Sequence, residues 1–416
     1  MPSTKNINLL SLFSGCGGMD IGFSGNFKCL SKSVNKNLHS DWIISEKDNW
    51  VDLAPTMFNT VFANDIRPDA KAAWVSYFEK ENKDANNLYH LTSIVDLVKQ
   101  AKEGQFSFPK DIGIVTGGFP CQDFSIAGKR LGFNSQKSHL GTKLTADEPS
   151  VESRGQLYMW MRDVVTLTSP KIFIAENVKG LTNLEDVKEI IEHDFAEAGN
   201  GGYLVVSAKV LNASNYGVPQ GRERVIFFGF NKKALTPKAL EELSKNEISE
   251  EYNPYPAITH SKTDQTLAPI VTCADAFIGL DEPEKSEDKS QKVYSKAKYM
   301  GAHCQGQTEV RLDDIGPTIR SEHHGNIEYR RLSAENGGKH KEELAAGLKE
   351  RRLTICECAR IQTFPDDYQF ILPKTEYNCS VSSSDAYKII GNAVPCVLAY
   401  NIAKNIEKKW KLYFGD

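Results

Sequence analysis

Ile7-Asn8-Leu9-Leu10-Ser11-Leu12-Phe13-Ser14-Gly15-Cys16-Gly17-Gly18 is an apolar run that breaks into glycines. Ile7–Phe13 reads as a strand and the glycines behind it as a tight turn, since glycine lets a ligand approach the main chain closely. Asp20 stands where the third glycine of a dinucleotide-binding G-x-G-x-x-G would fall. Alone, then, the loop fits a plain turn as well as a cofactor site. Further apolar runs follow at Trp42–Ser45, Thr60–Asn64, Ile112–Thr116, Lys171–Ala175, Leu204–Leu211 and Val225–Phe230. Between several of them lie segments with helical apolar spacing, including Gly155–Thr168 and Leu184–Ala198. Strands alternating with helices predict an α/β fold: a doubly wound, mostly parallel, Rossmann-like sheet covered on both faces.

From Asn231 onward the texture changes to polar stretches without a sustained period, such as DEPEKSEDKSQK, and a second, smaller, irregular domain is expected there. A helix-like segment, LTICECARIQTF, follows Arg351–Arg352 and stops at Pro365, and Cys396–Trp410 is amphipathic. The expected division is a first domain over 1–232, completed by 386–416, and a second domain with its hinge over 233–385. For 416 residues, two domains are the ordinary expectation. A composition of 40% hydrophobic and 25% charged residues is that of a globular protein, and no apolar run approaches the roughly 20 residues of a membrane span. With no signal peptide in MPSTKNINLL, the cytoplasm is the expected compartment. Nine scattered cysteines suggest reduced thiols. No metal is expected, because Cys356 and Cys358 lack a second pair at ligand spacing. The formal net charge of −4 leaves nucleic acid undecided, since a partner touching one face responds to local charge only.

Candidate chemistry collects at strand ends. Glu46 follows the second candidate strand, where an acid accepts hydrogen bonds from ribose hydroxyls, and Asp65 ends the third, within reach of an adenine amine. Taken alone, each reads first as a surface carboxylate at a strand end. The strongest signal is Gly117-Gly118-Phe119-Pro120-Cys121-Gln122-Asp123-Phe124-Ser125, beyond the fourth strand. In a doubly wound sheet this strand neighbours the first, which sets Cys121 opposite the Gly15–Gly18 loop. Held by Pro120 in glycine-rich surroundings, Cys121 is a candidate nucleophile; the alternative is a buried structural thiol. Glu176 ends the run KIFIA, and Arg222 and Arg224 lead into VIFFGF, on one face if extended.

Taken in order, FSGCGG, Glu46, Asp65, GGFPCQDFS, ENV, QGRERV, RRLTICECARIQTFP and IIGNAVP resemble the DNA cytosine-5 methyltransferase family, of the bacterial restriction-modification type. The resemblance spans residues 9 to about 405. It implies that Phe13, Gly15, Gly17 and Gly18 surround S-adenosylmethionine, with Glu46 on the ribose, Asp65 near the adenine, and Leu157 and Asn392 lining the same pocket. It implies Cys121 as nucleophile, Glu176 facing cytosine N3 and Arg224 near O2. The chain departs from the family by an insertion over 134–152, by a longer link over 27–41, and by Lys47 where an aromatic residue often follows the ribose acid.

These residue types suit the reaction. Cytosine C5 is a poor nucleophile until a thiolate adds to C6 and makes an enamine, and a free thiol of pKa about 8.5 needs activation to do so. A protonated Glu176 would stabilise the charge developing at N3, Arg224 would orient the ring, and loss of the C5 proton and of the thiolate would release product. The base must first leave the duplex. Base reading is expected between Arg224 and Arg351, with Arg311, Arg320, His323, His324, Asn326, Arg330 and Arg331 as candidate donors. Gln122 and Ser125 are candidate DNA contacts within the Cys121 motif. Lys289, Lys292, Tyr294, Lys296, Lys298 and Tyr299 form either a backbone-binding run or a solvated one. The implied partners are double-stranded DNA and a cognate restriction endonuclease acting on the same site. S-adenosylhomocysteine is the implied product, and a monomer is expected. A tRNA-methylating enzyme and a catalytically inactive DNA-binding relative are the alternatives.

Overall fold

In chain order the strands that build the first half of the molecule are β1 (Ile7–Leu12), β2 (Lys28–Leu30), β3 (Ile43–Lys47), β4 (Trp50–Leu53), β5 (Phe58–Asp65), β6 (Tyr89–Leu91), β7 (Ile112–Gly118), β8 (Ile172–Val178), β9 (Tyr203–Asn212) and β10 (Glu223–Asn231). The computed structural model describes residues 6–120, 156–183, 186–304, 307–321, 328–374 and 380–415. Cys121, Gln122, Ser125, His323, His324, Asn326 and the 134–152 insertion lie outside the described residues. Among those described, a seven-stranded sheet runs in the order β6-β5-β1-β7-β8-β10-β9. β10 is antiparallel to both neighbours, and the other pairings are parallel. β1 and β7 are adjacent, as the doubly wound order predicts. The chain leaves this pair in opposite directions, so a crevice opens at their carboxyl ends.

Side-chain alternation explains why this sheet needs both faces covered. Leu9, Ile114, Ile172, Ile174, Ile226 and Phe228 enter one buried cluster, while Leu10, Leu12, Val115, Phe173, Ala175, Val225 and Phe227 enter the other. Successive residues of one strand thus feed opposite cores, which is why these strands read as unbroken apolar runs. The second face is covered by helices Ile94–Lys102, Leu157–Thr168 and Val187–Ala196, and the first by Gly18–Ser24 and Cys396–Phe414.

One expected strand belongs elsewhere. β3 pairs with β4, and β4 with β2, in a separate antiparallel sheet. Asp48-Asn49 joins β3 to β4 as a two-residue turn, with Asp48 at φ 56°. The excursion starts after helix Gly18–Ser24 and ends where Phe58 pairs with Ile7, and Thr56 N–H donates to the Ser24 carbonyl at 3.1 Å. It therefore leaves and rejoins the amino edge of the parallel sheet, opposite the glycine loop. The strand beside β1 is β5, and the link between them is the whole of 26–57 rather than 27–41.

Beyond residue 231 the regular elements are short. His260–Ser261 pairs with Ala268–Pro269, and Tyr329–Arg331 with Arg351–Arg352. Charge holds what apolar contact does not. Glu282 accepts from Arg331 and Arg351, Glu343 from Arg330 and Arg331, and Glu357 from Arg351. Against the upward push of burial, those hydrogen bonds hold the Glu282 carboxyl down to about 2. A reciprocal capping box between Thr354 and Glu357 starts helix Ile355–Ile361. Leu353, Ile355, Phe364 and Phe370 share the apolar cluster of Leu9 and Ile389, so the end of this region packs into the sheet's own core.

Candidate active site

The glycine loop is held in place by its backbone. Gly15 N–H donates to Asp65 Oδ2 at 3.1 Å, Tyr89 Oη–H to the Gly15 carbonyl at 2.9 Å, and Tyr368 Oη–H to the Cys16 carbonyl at 2.7 Å. Phe13 sits at φ 52°, a left-handed conformation rare outside glycine and asparagine, which costs on the order of 1–3 kcal/mol and persists at sites held from outside. Gly15 is also left-handed, and a Cβ there would find nothing within 4 Å. A Cβ on Gly18 would stand 2.3 Å from the Val394 carbonyl oxygen. The loop is therefore open above Gly15 and closed against residues 393–394, next to Asn392, the exposed last residue of helix Ser383–Asn392. Leu157, buried at the start of its helix, shares a cluster with Leu12 and Phe119.

Glu46 is elsewhere. Its carboxylate is exposed on β3, bonded to Lys36 Nζ at 2.5 Å and to Ser31 Oγ at 2.7 Å, and these donors lower its pKa. The expected position beside the cofactor loop is corrected by the topology: β3 is outside the central sheet. The acid beside the loop is Asp65. Its Oδ1 also accepts Arg67 N–H at 3.0 Å, and burial pushes its pKa up against those donors. Ile66, 39% exposed, follows it, and Leu91, 40% exposed, ends the neighbouring β6 opposite Asp65. Sequence reasoning passed over Ile66, although it directly follows an acid at a strand end. Bare backbone, a carboxylate and apolar surface on one edge fit a nucleoside cofactor.

Across the crevice, Gly118 pairs with Glu176. A Cβ on Gly118 would meet Glu176 Oε2 at 2.9 Å, so the glycine makes room for the carboxyl group. Arg224, diagonal to it across the β8–β10 pairing, places Nε 2.7 Å from Glu176 Oε1. Glu176 is buried and Arg224 nearly so, their side chains being 10% and 11% exposed respectively. Burial outweighs the pull of Arg224 and Arg222 and raises the Glu176 pKa, which favours its protonated form. Asn177 Nδ2–H donates to the Phe119 carbonyl at 3.2 Å, fixing the chain one residue before Pro120.

Arg222, expected to act with Arg224, is fully buried and donates to the Ile319 carbonyl and the Gly391 carbonyl, both at 2.9 Å. It ties three segments together and reaches Glu176 only through its charge. Among the candidate base readers, Arg330 is corrected: it is 9% exposed and gives both terminal nitrogens to Glu343. Arg320 is half-buried, 3.4 Å from Glu328, and Arg311 is exposed beside Asp313.

A doubly wound sheet with a nucleoside-type loop after β1 and a buried Glu–Arg pair two strands away defines an α/β transferase acting on a flat, polar ring. Residues 7–408 match the model of the C-5 cytosine-specific DNA methylases. The chain belongs to that family: it is a methyltransferase acting on carbon 5 of cytosine in DNA. It is 32% identical to the type II methyltransferase M.BsuRI of Bacillus subtilis, over 97% of this chain and 80% of that one. It is 34% identical to the type II methyltransferase M.BspRI of Lysinibacillus sphaericus, over 99% and 84%. In fold it resembles the S. pombe Dnmt2 methyltransferase (TM-score 0.55, 17% identity, 96% and 98% covered). A putative DNA modification methyltransferase of an E. coli prophage is similar (TM-score 0.53, 19% identity, 96% and 98%). Among the described residues no helix is long and apolar enough to cross a membrane.

Proposed function

We propose that the chain methylates a flipped-out cytosine within a specific duplex sequence through a covalent adduct between Cys121 and C6, using S-adenosylmethionine. The observation that carries this reading is the buried Glu176–Arg224 pair, two strands from the glycine loop and beside Gly118, three residues before Cys121. Glu176 holds a proton toward N3 as the Cys121 sulfur bonds to C6, so the ring becomes an enamine without a full charge developing on it. Arg224 orients O2 and, with Arg222, limits how far burial lifts the Glu176 pKa. When bound, S-adenosylmethionine supplies a methyl group on a positively charged sulfur. Asp65, rather than Glu46, is assigned to its ribose, Ile66 to a face of its adenine, and Leu157 and Asn392 to the walls of the same pocket. After transfer, loss of the C5 proton and expulsion of the Cys121 thiolate restore aromaticity.

Residues 1–232 with 386–416 form the catalytic unit in this reading, and 233–385 the target-recognition unit and hinge. Arg311, Arg320, His323, His324 and Asn326 remain the candidate readers. The similarity to type II methyltransferases supports a modification role beside an endonuclease of the same specificity, and a monomer on DNA suffices for one flipped base. The test is a duplex carrying 5-fluorocytosine at the target, where C5 cannot lose its substituent as a proton. Wild type should give a denaturant-stable protein–DNA adduct and Cys121→Ser none; an adduct from the serine variant would refute the assignment. The target itself follows from bisulfite sequencing of DNA from cells expressing the chain.

A further inference from the structure

Where the second region turns from acidic to basic, an exposed loop is fastened from beneath. Residues 281–292 carry Asp281, Glu282, Glu284, Glu287 and Asp288, whereas 293–304 hold Lys296 and Lys298 and no carboxylate. Lys296, Ala297 and Lys298 are all exposed and belong to no helix or strand. Their main chain is nevertheless tied down by the buried side chains of Arg352, Tyr329 and Gln307. Arg352 Nε–H donates to the Ala297 carbonyl and Nη2–H to the Lys298 carbonyl, both at 3.3 Å, and Tyr329 Oη–H donates to the Ala297 carbonyl at 3.5 Å. Gln307 Oε1 accepts the Met300 amide at 3.1 Å and Arg352 Nη2–H at 3.3 Å. The Arg352 guanidinium lies over the Tyr329 ring, 4.4 Å from its centroid.

A loop held in this way presents its side chains without an ordering cost when a partner arrives. The side chains presented here are cationic. Lys296 Nζ stands over the Tyr294 ring, 3.4 Å from its centroid, and neither lysine meets a carboxylate among the described residues. By contrast Lys292, on the short helix Lys289–Lys292, lies 3.6 Å from Glu287, and Lys289 directly follows Asp288. The footing of the loop also reaches the catalytic pair. Leu353, next to Arg352, donates its amide to the Glu328 carbonyl at 3.2 Å, and Glu328 Oε1 lies 3.4 Å from Arg320 Nη2. A Cβ on Gly391 would stand 2.2 Å from the Arg320 carbonyl carbon, and the Gly391 carbonyl accepts from Arg222, two residues before Arg224. Tyr387, on the helix that ends at Asn392, donates to the Leu353 carbonyl at 2.9 Å. Lys296 and Lys298 are thus fixed in place relative to the Glu176–Arg224 pair.

We propose that Lys296 and Lys298 bind phosphates of the DNA backbone and set the register of the duplex on the second region, leaving the choice of bases to other side chains. A lysine ammonium is a compact charge without the planar fork that reads a base edge, and backbone phosphates are what such charges position. The inference rests on the reading of 233–385 as the target-recognition unit.

Fluorescence anisotropy of a labelled duplex bearing the target that bisulfite sequencing finds, titrated with enzyme across a series of salt concentrations, tests this. Each phosphate contact adds about 0.9 to the slope of log affinity against log salt. Lys296→Gln together with Lys298→Gln should flatten that slope by about 1.8, with a roughly 60-fold loss of affinity at about 0.1 M salt that closes toward 1 M. Lys289→Gln together with Lys292→Gln, the same change of charge a few residues away, should leave the slope within about 0.4 of wild type. Bisulfite sequencing should find the same methylated sequence with either pair. A flattening of less than about 0.9 by the loop pair, an equal flattening by both pairs, or a changed target would overturn the proposal. Failure of the wild type to prefer its target over an unrelated duplex would instead remove the target-recognition reading beneath it.

Discussion

Replacing Glu176 by Gln keeps the side chain's volume and its carbonyl acceptor for Arg224, but removes the ionisable proton. Breaking a buried ion pair by deleting one partner costs about 3–5 kcal/mol. Here the loss should be smaller, about 2 kcal/mol, because Gln still accepts from the guanidinium and because burial already makes the Glu176 charge costly. Removing a positioned proton donor lowers a rate by roughly 10²–10⁴-fold, about 3–5 kcal/mol at 1.36 kcal/mol per tenfold. The kinetic effect should therefore exceed the structural one. Rapid-quench single-turnover methylation with saturating DNA measures the first, and urea unfolding the second. The pH dependence adds an independent sign. Because the folded pKa of Glu176 is raised, its contribution to stability is present below about 4.5 and is lost as pH rises through the folded value. Wild type should thus lose stability relative to Glu176→Gln as pH climbs from 4.5. The ratio of wild-type to variant single-turnover rates should fall as Glu176 deprotonates, the rise with pH from Cys121 ionisation being common to both. A rate loss under threefold, with DNA binding intact, would refute the role given to Glu176.

Three further outcomes follow from the placement of side chains. Asp65→Asn should raise the dissociation constant of S-adenosylmethionine about tenfold, whereas Glu46→Gln should leave it within twofold; titration calorimetry on the pair decides which acid serves the cofactor. Gly18→Ala should destabilise the fold by about 1–3 kcal/mol in urea, since the new methyl meets the Val394 carbonyl, a backbone atom with little room to move. Arg330→Ala should lower unfolding free energy by roughly 1–2 kcal/mol, because Glu343 loses two hydrogen bonds but keeps the one from Arg331, while bisulfite sequencing finds the same methylated sequence as in wild type. A changed target would show that Arg330 reads a base after all.

How far the sequence could be read depended on whether a residue's role was set locally or by pairing. The β1 and β7 runs are legible because a strand buried on both faces must be apolar throughout, and their glycines mark where backbone has to be bare. Glu176 is legible for a related reason: a carboxylate that interrupts an apolar run at its carboxyl end has few places to go. The Glu46 reading failed at a point where two segments, IISEK and VFAND, each end an apolar run in an acid. Nothing local to either acid tells which strand lies next to β1, because adjacency is a property of the whole sheet. The discriminating signal was in the turn chemistry instead. Asp48-Asn49 is a hairpin turn that folds β3 back on β4, whereas Pro68 opens a helix after Asp65, as a parallel β-α-β crossover requires. Arg330 was misread for a complementary reason. An arginine in a polar, irregular stretch looks available to DNA, and only the tertiary fold reveals Glu343, 13 residues away, whose carboxylate takes both of its terminal nitrogens. In a region that lacks long strands and helices, such charge pairs replace apolar periodicity as the source of order, and they leave no period in the sequence to detect.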